Sequence, residues 1–219
     1  MRGGTTAVAL VSRLVLAACA SEGTGLTDER SNTPRITLGE PPADFAGLLL
    51  SETDMEAVDG LQDAEANDVD DIEVYENPDP RGPCGARLAA PPAPDAGRVL
   101  TAGGITALHL VYADASEIDR HIDVLEGDLW PGCGPHESLT NVGAVQQVAE
   151  PVALDTTGVG DRAVGWTTAI TVDGETAHVG LVLAIGGGHA TGLQVLAGHP
   201  VGSDTMLSLA RAAVARLER

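Results

Sequence analysis

The dipeptide Asp173-Gly174 narrows most sharply what this chain can build. An Asp-Gly pair between two apolar runs favours a two-residue type I′ hairpin turn, because both central positions require positive φ and these two residues tolerate it. The turn fixes a register. Val172 is set against Glu175, and in steps of two Ile170 meets Ala177, Thr168 meets Val179, Trp166 meets Leu181 and Val164 meets Leu183. That set is almost wholly apolar, so the alternation on each strand agrees with the turn. A slip of one residue would move every one of these side chains to the other face.

The rest of the second half falls into place around this hairpin. Thr106 to Ala113 alternates, with Leu108, Leu110 and Tyr112 on one face, as a half-buried strand does. His109 lies on the opposite face and is expected to point outward, as is His178, which opposes Val179 and Leu181. Asp114 caps a predicted helix whose Ile118, Ile122, Leu125 and Leu129 form one apolar stripe at helical spacing, ending at Trp130-Pro131-Gly132. Gly186-Gly187-Gly188 predicts a second reversal and Leu193 to Ala197 a third strand. Ser203 opens a final helix with Met206, Ala210, Ala213, Val214 and Leu217 inward, and Arg211, Arg216 and Arg219 suit its C-terminal end. A helix, an antiparallel meander and a closing helix predict an α+β fold, a single domain with two or three helices packed on an antiparallel sheet.

The first half is less regular. Leu48-Leu49-Leu50 runs into Ser51, which can cap a short helix while Asp54 reaches back to it, and this helix is expected to end near Gly60. Residues 52–79 carry twelve acids and no base, which reads as a solvated loop with one strand near Ile72 to Tyr75. Asp68, Asp70 and Asp71 bring carboxylates close together, but the glycine and distal glutamate of an EF-hand are missing, and no metal is expected there.

At the N-terminus, Arg2 precedes apolar stretches broken by Arg13, and Leu16-Ala17-Ala18-Cys19 matches a bacterial lipobox. Residues 1–18 are expected to be a signal peptide, with Cys19 acylated as the first mature residue. Residues 19–45, rich in Ser, Gly, Thr, Pro and charge, read as a lipidated flexible tether, and residues 46–219 as the domain. No later segment approaches the ~18 consecutive apolar residues of a membrane helix. The expected address is therefore the extracytoplasmic face of the cell membrane, held by lipid alone.

Charge and cysteines fit that address. The chain carries a formal charge of −20, and removal of residues 1–18, which hold Arg2 and Arg13, leaves 10 arginines against 32 acids, or −22. Such a field repels nucleic acid and anionic headgroups, so the expected partners are the membrane through the anchor, a small envelope ligand or an envelope protein. Apart from Cys19 there are two cysteines, Cys84 and Cys133, and an even pair in an exported chain predicts a disulfide. Closing a loop of about 50 residues stabilises by roughly 4 kcal/mol in the chain-entropy model. Cys133 and His136 are spaced as half of a metal site, but a second half is missing from the sequence nearby.

The order of motifs resembles a known family. Leu48-Leu49-Leu50-Ser51 before a short helix, Pro83-Cys84-Gly85-Ala86, a strand and helix ending at Trp130 with Cys133 three residues on, and Gly158-Val159-Gly160-Asp161-Arg162-Ala163 leading into a hairpin are similar to the PknH-like extracellular sensor domains. These occur outside the membrane on some mycobacterial serine/threonine kinases and as stand-alone lipoproteins of related actinobacteria. The resemblance spans about residues 46–219. It implies an antiparallel sheet with packed helices, a cleft that receives an extracellular ligand, and no catalysis. Relatives often carry a second disulfide in the later strands, whereas His178 to Ala197 holds no cysteine here.

Signatures of chemistry are missing from the sequence. It contains no G-x-S-x-G, H-E-x-x-H, C-x-x-C or G-x-x-x-x-G-K, and Gly186-Gly187-Gly188-His189 reads as a turn. Trp130 and Trp166 read as core. The expected function is a non-catalytic lipoprotein domain, needing no cofactor, that binds or senses a neutral or cationic ligand in a cleft between its sheet and the Asp114–Trp130 helix. The sequence does not name the ligand-binding residues. A structural or protein-interaction lipoprotein is the alternative. A hydrolase is a third class, because catalytic triads assemble in space and need no local motif.

Overall fold

The computed structural model describes residues 36–38, 42–72, 93–126, 134–139 and 145–219. Cys19, Cys84, Cys133, Leu129 and Trp130 lie outside these residues, and with them the lipobox, the expected disulfide and the end of the helix that starts at Asp114. The elements run β1 (Ile36–Leu38), α1 (Ala43–Ala46), α2 (Glu52–Glu56), β2 (Glu65–Ile72), β3 (Ala96–Ala102), β4 (Ile105–Tyr112) and α3 (Ala115–Val124). Then follow β5 (His136–Leu139), β6 (Val145–Val148), β7 (Val152–Ala153), β8 (Arg162–Val172), β9 (Glu175–Gly186), β10 (His189–Ala197) and α4 (Ser203–Leu217).

The strands form one antiparallel sheet in the order β1-β2-β3-β4-β10-β9-β8-β6-β5, with β7 also on β8. Two meanders, β1 to β4 and β8 to β10, meet where β4 pairs with β10. The turn Asp173-Gly174 has φ of 52° and 83°, the type I′ signature, and β8 pairs with β9 in the register the turn dictates: Val172 with Glu175 through to Val164 with Leu183. Gly187-Gly188 makes the matching reversal between β9 and β10. The α+β class and the antiparallel sheet expected from the sequence are thus realised, with four helices among the described residues.

Strand alternation sorts the core into two faces. On one, Ala107, Val182, Ala184, Leu193 and Val195 meet Met206, Leu209, Ala210, Ala213 and Val214 of α4, together with Leu50 and Met55 at α2. On the other, Leu110, Tyr112, Leu183 and Ala190 meet Ile118, Ile122 and Leu125 at α3. The sheet is therefore covered on both sides, and this changes the meaning of alternation. A polar residue opposite Leu108 and Leu110 does not reach solvent. His109, expected to point outward, is completely buried under α2 and α4, and His178, on the same face as Gly180 and Val182, is half-buried rather than outward.

Capping signals were read correctly. Ser51 and Asp54 form a reciprocal capping box on α2, Asp114 accepts from the Ser116 backbone at the start of α3, and the α4 stripe is buried as expected with Leu207 and Leu209 added. Two stretches differ from expectation. Most of the acidic run read as a loop before a strand near Ile72 to Tyr75 is itself a strand, β2 at Glu65–Ile72, which buries Val69 and exposes Glu65 near the edge of the sheet; residues 73–75 lie outside the described residues. Within the stretch read as tether, β1 pairs with β2 and α1 leads into Leu48 and Leu49, which pack with Phe45 around Ala96, Val111 and Leu217.

Candidate functional site

The polar residues of the molecule gather around His109 and the N-terminus of α2. The Leu50 backbone N–H donates to His109 Nδ1 at 3.0 Å, so the ring proton sits on Nε2, which donates to Thr191 Oγ1 at 2.7 Å. The Thr191 hydroxyl in turn donates to the Leu110 carbonyl at 3.0 Å. Burial pushes the His109 pKa down to about 3, with the nearby Arg98 and Arg216 guanidinium charges adding to the effect and Asp54 opposing it. The imidazole is neutral, with both nitrogens spent.

Just outside this ring, Ser51 Oγ donates to Asp54 Oδ2 at 2.6 Å and accepts from Arg216 Nη2 at 2.8 Å. Arg216 Nε donates to the same Asp54 oxygen at 2.8 Å, tying the end of α4 to α2. Burial would raise the Asp54 pKa, but hydrogen bonds from the Ser51 hydroxyl and backbone and from Arg216 hold it below the usual carboxylate range. Arg98 pairs with Asp68 across β3 and β2, and its Nη1 donates to the Leu50 carbonyl at 2.9 Å. Serine, histidine and aspartate thus lie close together without forming a triad. The histidine faces a backbone amide and a threonine rather than Ser51, and the serine hydroxyl is occupied by a carboxylate and a guanidinium.

Two concavities open on the described surface. One, of about 240 Å³, adjoins the polar cluster and is lined by Ser51, Glu52, Ala66, Asp68 and Arg98. The other, of about 250 Å³, lies where β7, β8 and β9 approach Pro200 and Val201, and its lining includes Glu150, Val152, Thr167 and His178. The cleft expected between the sheet and the Asp114–Trp130 helix is filled along α3, where Ile118, Ile122 and Leu125 are buried against the sheet. Tyr112 is buried there too, its hydroxyl without a hydrogen-bond partner among the described residues and its pKa raised by burial. Arg162, at the start of β8, grips the other side of α3 through Asp119, Asp123 and Glu126 at 2.6, 2.7 and 2.6 Å.

Neither Arg98 nor His109 was singled out from sequence as a site residue. An arginine in a strand facing the acid-rich β2 was the available signal for the first. No signal marked the second, because its burial depends on α2 and α4 arriving from distant sequence. No protein-family model and no curated protein matches the chain. Among solved structures, the extracellular domain of PknH from Mycobacterium tuberculosis is similar to it at 10% sequence identity, with a TM-score of 0.34, over 94% of this chain and 90% of that one. Among the described residues no helix is long and apolar enough to cross a membrane.

Proposed function

We propose that this chain is a non-catalytic binding module of the cell envelope, presented at the extracytoplasmic face of the membrane by a lipid on Cys19. One observation carries the reading: the groups best suited to chemistry are committed to holding the fold. His109 has a donor on one nitrogen and an acceptor on the other, and Ser51 is held between Asp54 and Arg216. A general base needs a free nitrogen within reach of a substrate proton, and this histidine offers none. One concavity is open beside Ser51, and the acidic chain favours a neutral or cationic occupant. The motif order that resembles extracellular sensor domains agrees with that location. The test is saturable binding of a small molecule that is recovered unchanged.

A second reading makes the chain an interaction lipoprotein. It draws on Val152, 64% exposed on β7 at the second concavity, and Val145, 53% exposed on β6. Cross-linking from these positions to an envelope protein, with no small molecule bound, would favour it.

A further inference from the structure

We infer that the concavity at Ser51, Glu52, Ala66, Asp68 and Arg98 is a subsite for the zwitterionic end of a small molecule, one that carries a carboxylate and an ammonium group close together. The inference rests on the non-catalytic binding reading and gives it a place and a ligand class. Arg98 supplies the first half. Its side chain is only 16% exposed, Nε is spent on Asp68 and Nη1 on the Leu50 carbonyl, and Nη2 has no partner among the described residues. A guanidinium fixed at two points and lining an open space with unspent N–H donors is set for a carboxylate, whose two oxygens match its planar fork.

The rest of the lining selects against a free anion. Glu52 and Asp68 stand at the same concavity, and the whole chain repels anions through its charge of −20. A carboxylate can enter only if its carrier brings a positive charge for Glu52 and Asp68 to receive. A volume of about 240 Å³ is below the roughly 300–1,000 Å³ of drug-sized sites, so the occupant is the size of an amino acid.

Calorimetric titration of the full chain in detergent with alanine, and with its N-acetyl and methyl-ester derivatives, tests this directly. The zwitterion is expected to bind saturably and each blocked derivative about tenfold more weakly, since each forfeits one charge-assisted contact. Glu52 is exposed and holds no other element, so Glu52→Gln is expected to keep the fold and weaken the zwitterion several-fold while leaving the N-acetyl form unchanged. Arg98→Lys, which keeps the charge and loses the fork, is expected to weaken it further. Equal affinity for all three compounds, or no binding of the zwitterion, overturns the subsite. If the chain then still holds another small molecule from its host, the binding function stands and only this site is wrong. If the methyl ester or the N-acetyl derivative is hydrolysed, the non-catalytic reading fails while the subsite survives.

Discussion

His109 on β4 and Thr191 on β10 are joined by a hydrogen bond of 2.7 Å inside the core, where the two meanders of the sheet meet. The bond is possible only while the imidazole is neutral and protonated on Nε2, because Nδ1 receives the Leu50 amide. This makes the packing of α2 on the sheet sensitive to acid.

The ring takes up its proton near pH 6.5 in the unfolded chain and near pH 3 in the folded one. Between those values the unfolded state binds more protons, so stability rises with pH and is lost as pH falls from about 6.5 towards 3. The limiting slope is roughly 1.4 kcal/mol per pH unit for one such group. Denaturant melts at pH 4.5, 5.5 and 7 are expected to show this trend, and His109→Gln to flatten it. Thr191→Val is expected to cost about 1–3 kcal/mol at pH 7, because it leaves a buried N–H without an acceptor. A parent and His109→Gln with the same dependence between pH 4.5 and 6.5 would refute the assignment.

Arg162 holds α3 to the sheet from a partly exposed position, through carboxylates that face solvent. In Arg162→Gln, Asp119, Asp123 and Glu126 are left facing one another at helical spacing without a cation between them. The expected loss is about 1–2 kcal/mol at low salt, shrinking by half or more in 0.5 M salt, because exposed charges are strongly screened. Melting temperatures of the parent and variant at the two salt concentrations decide it. A loss that does not change with salt would mean that the arginine acts through packing.

Gly158 and Gly160 flank one turn and have φ of 77° and 62°, but only the second is crowded. A Cβ on Gly158 meets open space, whereas one on Gly160 would overlap the Ile185 carbonyl oxygen, which accepts from Asp161 N at 2.8 Å. Gly158→Ala is expected to cost about 1 kcal/mol from backbone strain alone. Gly160→Ala is expected to cost roughly 3 kcal/mol or more, since the β8–β9 entry must also move. Similar costs for the two would show that the close approach is relieved elsewhere.

The anchor has its own test. Globomycin is expected to leave an unprocessed precursor, and Cys19→Ser to abolish acyl labelling and release the chain from membranes. A mature N-terminus that is free and unacylated would contradict lipidation.

Much of the fold was legible because local signals agreed with one another. Asp173-Gly174 and the alternation on both flanking strands specify the same register, and Ser51 with Asp54 announces α2 through bonds made within four residues. What was not legible depends on elements distant in sequence. Alternation in β4 correctly grouped Leu108, Leu110 and Tyr112, but whether His109 meets water or protein is decided by α2 and α4, which lie some 50 residues before it and nearly 100 after. β3 escaped notice for a similar reason: Ala96 to Ala102 begins with Ala-Gly-Arg and becomes a strand by pairing with β2 and β4. The acidic run hid β2, since a strand near a sheet edge can expose Glu65, hold Asp68 against Arg98 and still bury Val69. The polar cluster is the same problem in chemical form, because Arg98, Asp54 and Arg216 come from three separate elements.

The central claim is that the chain binds a small molecule and does not transform it. Native mass spectrometry of the full chain, purified in detergent from its own host, tests this most directly. One neutral or cationic small molecule is expected, held at substoichiometric to full occupancy, replaceable by added compound and unchanged in mass after prolonged incubation. Conversion of that compound, abolished by a single Ser, His or Asp substitution, would contradict the account. Consistent absence of any small molecule, with a cross-linked envelope protein in its place, would contradict it as well.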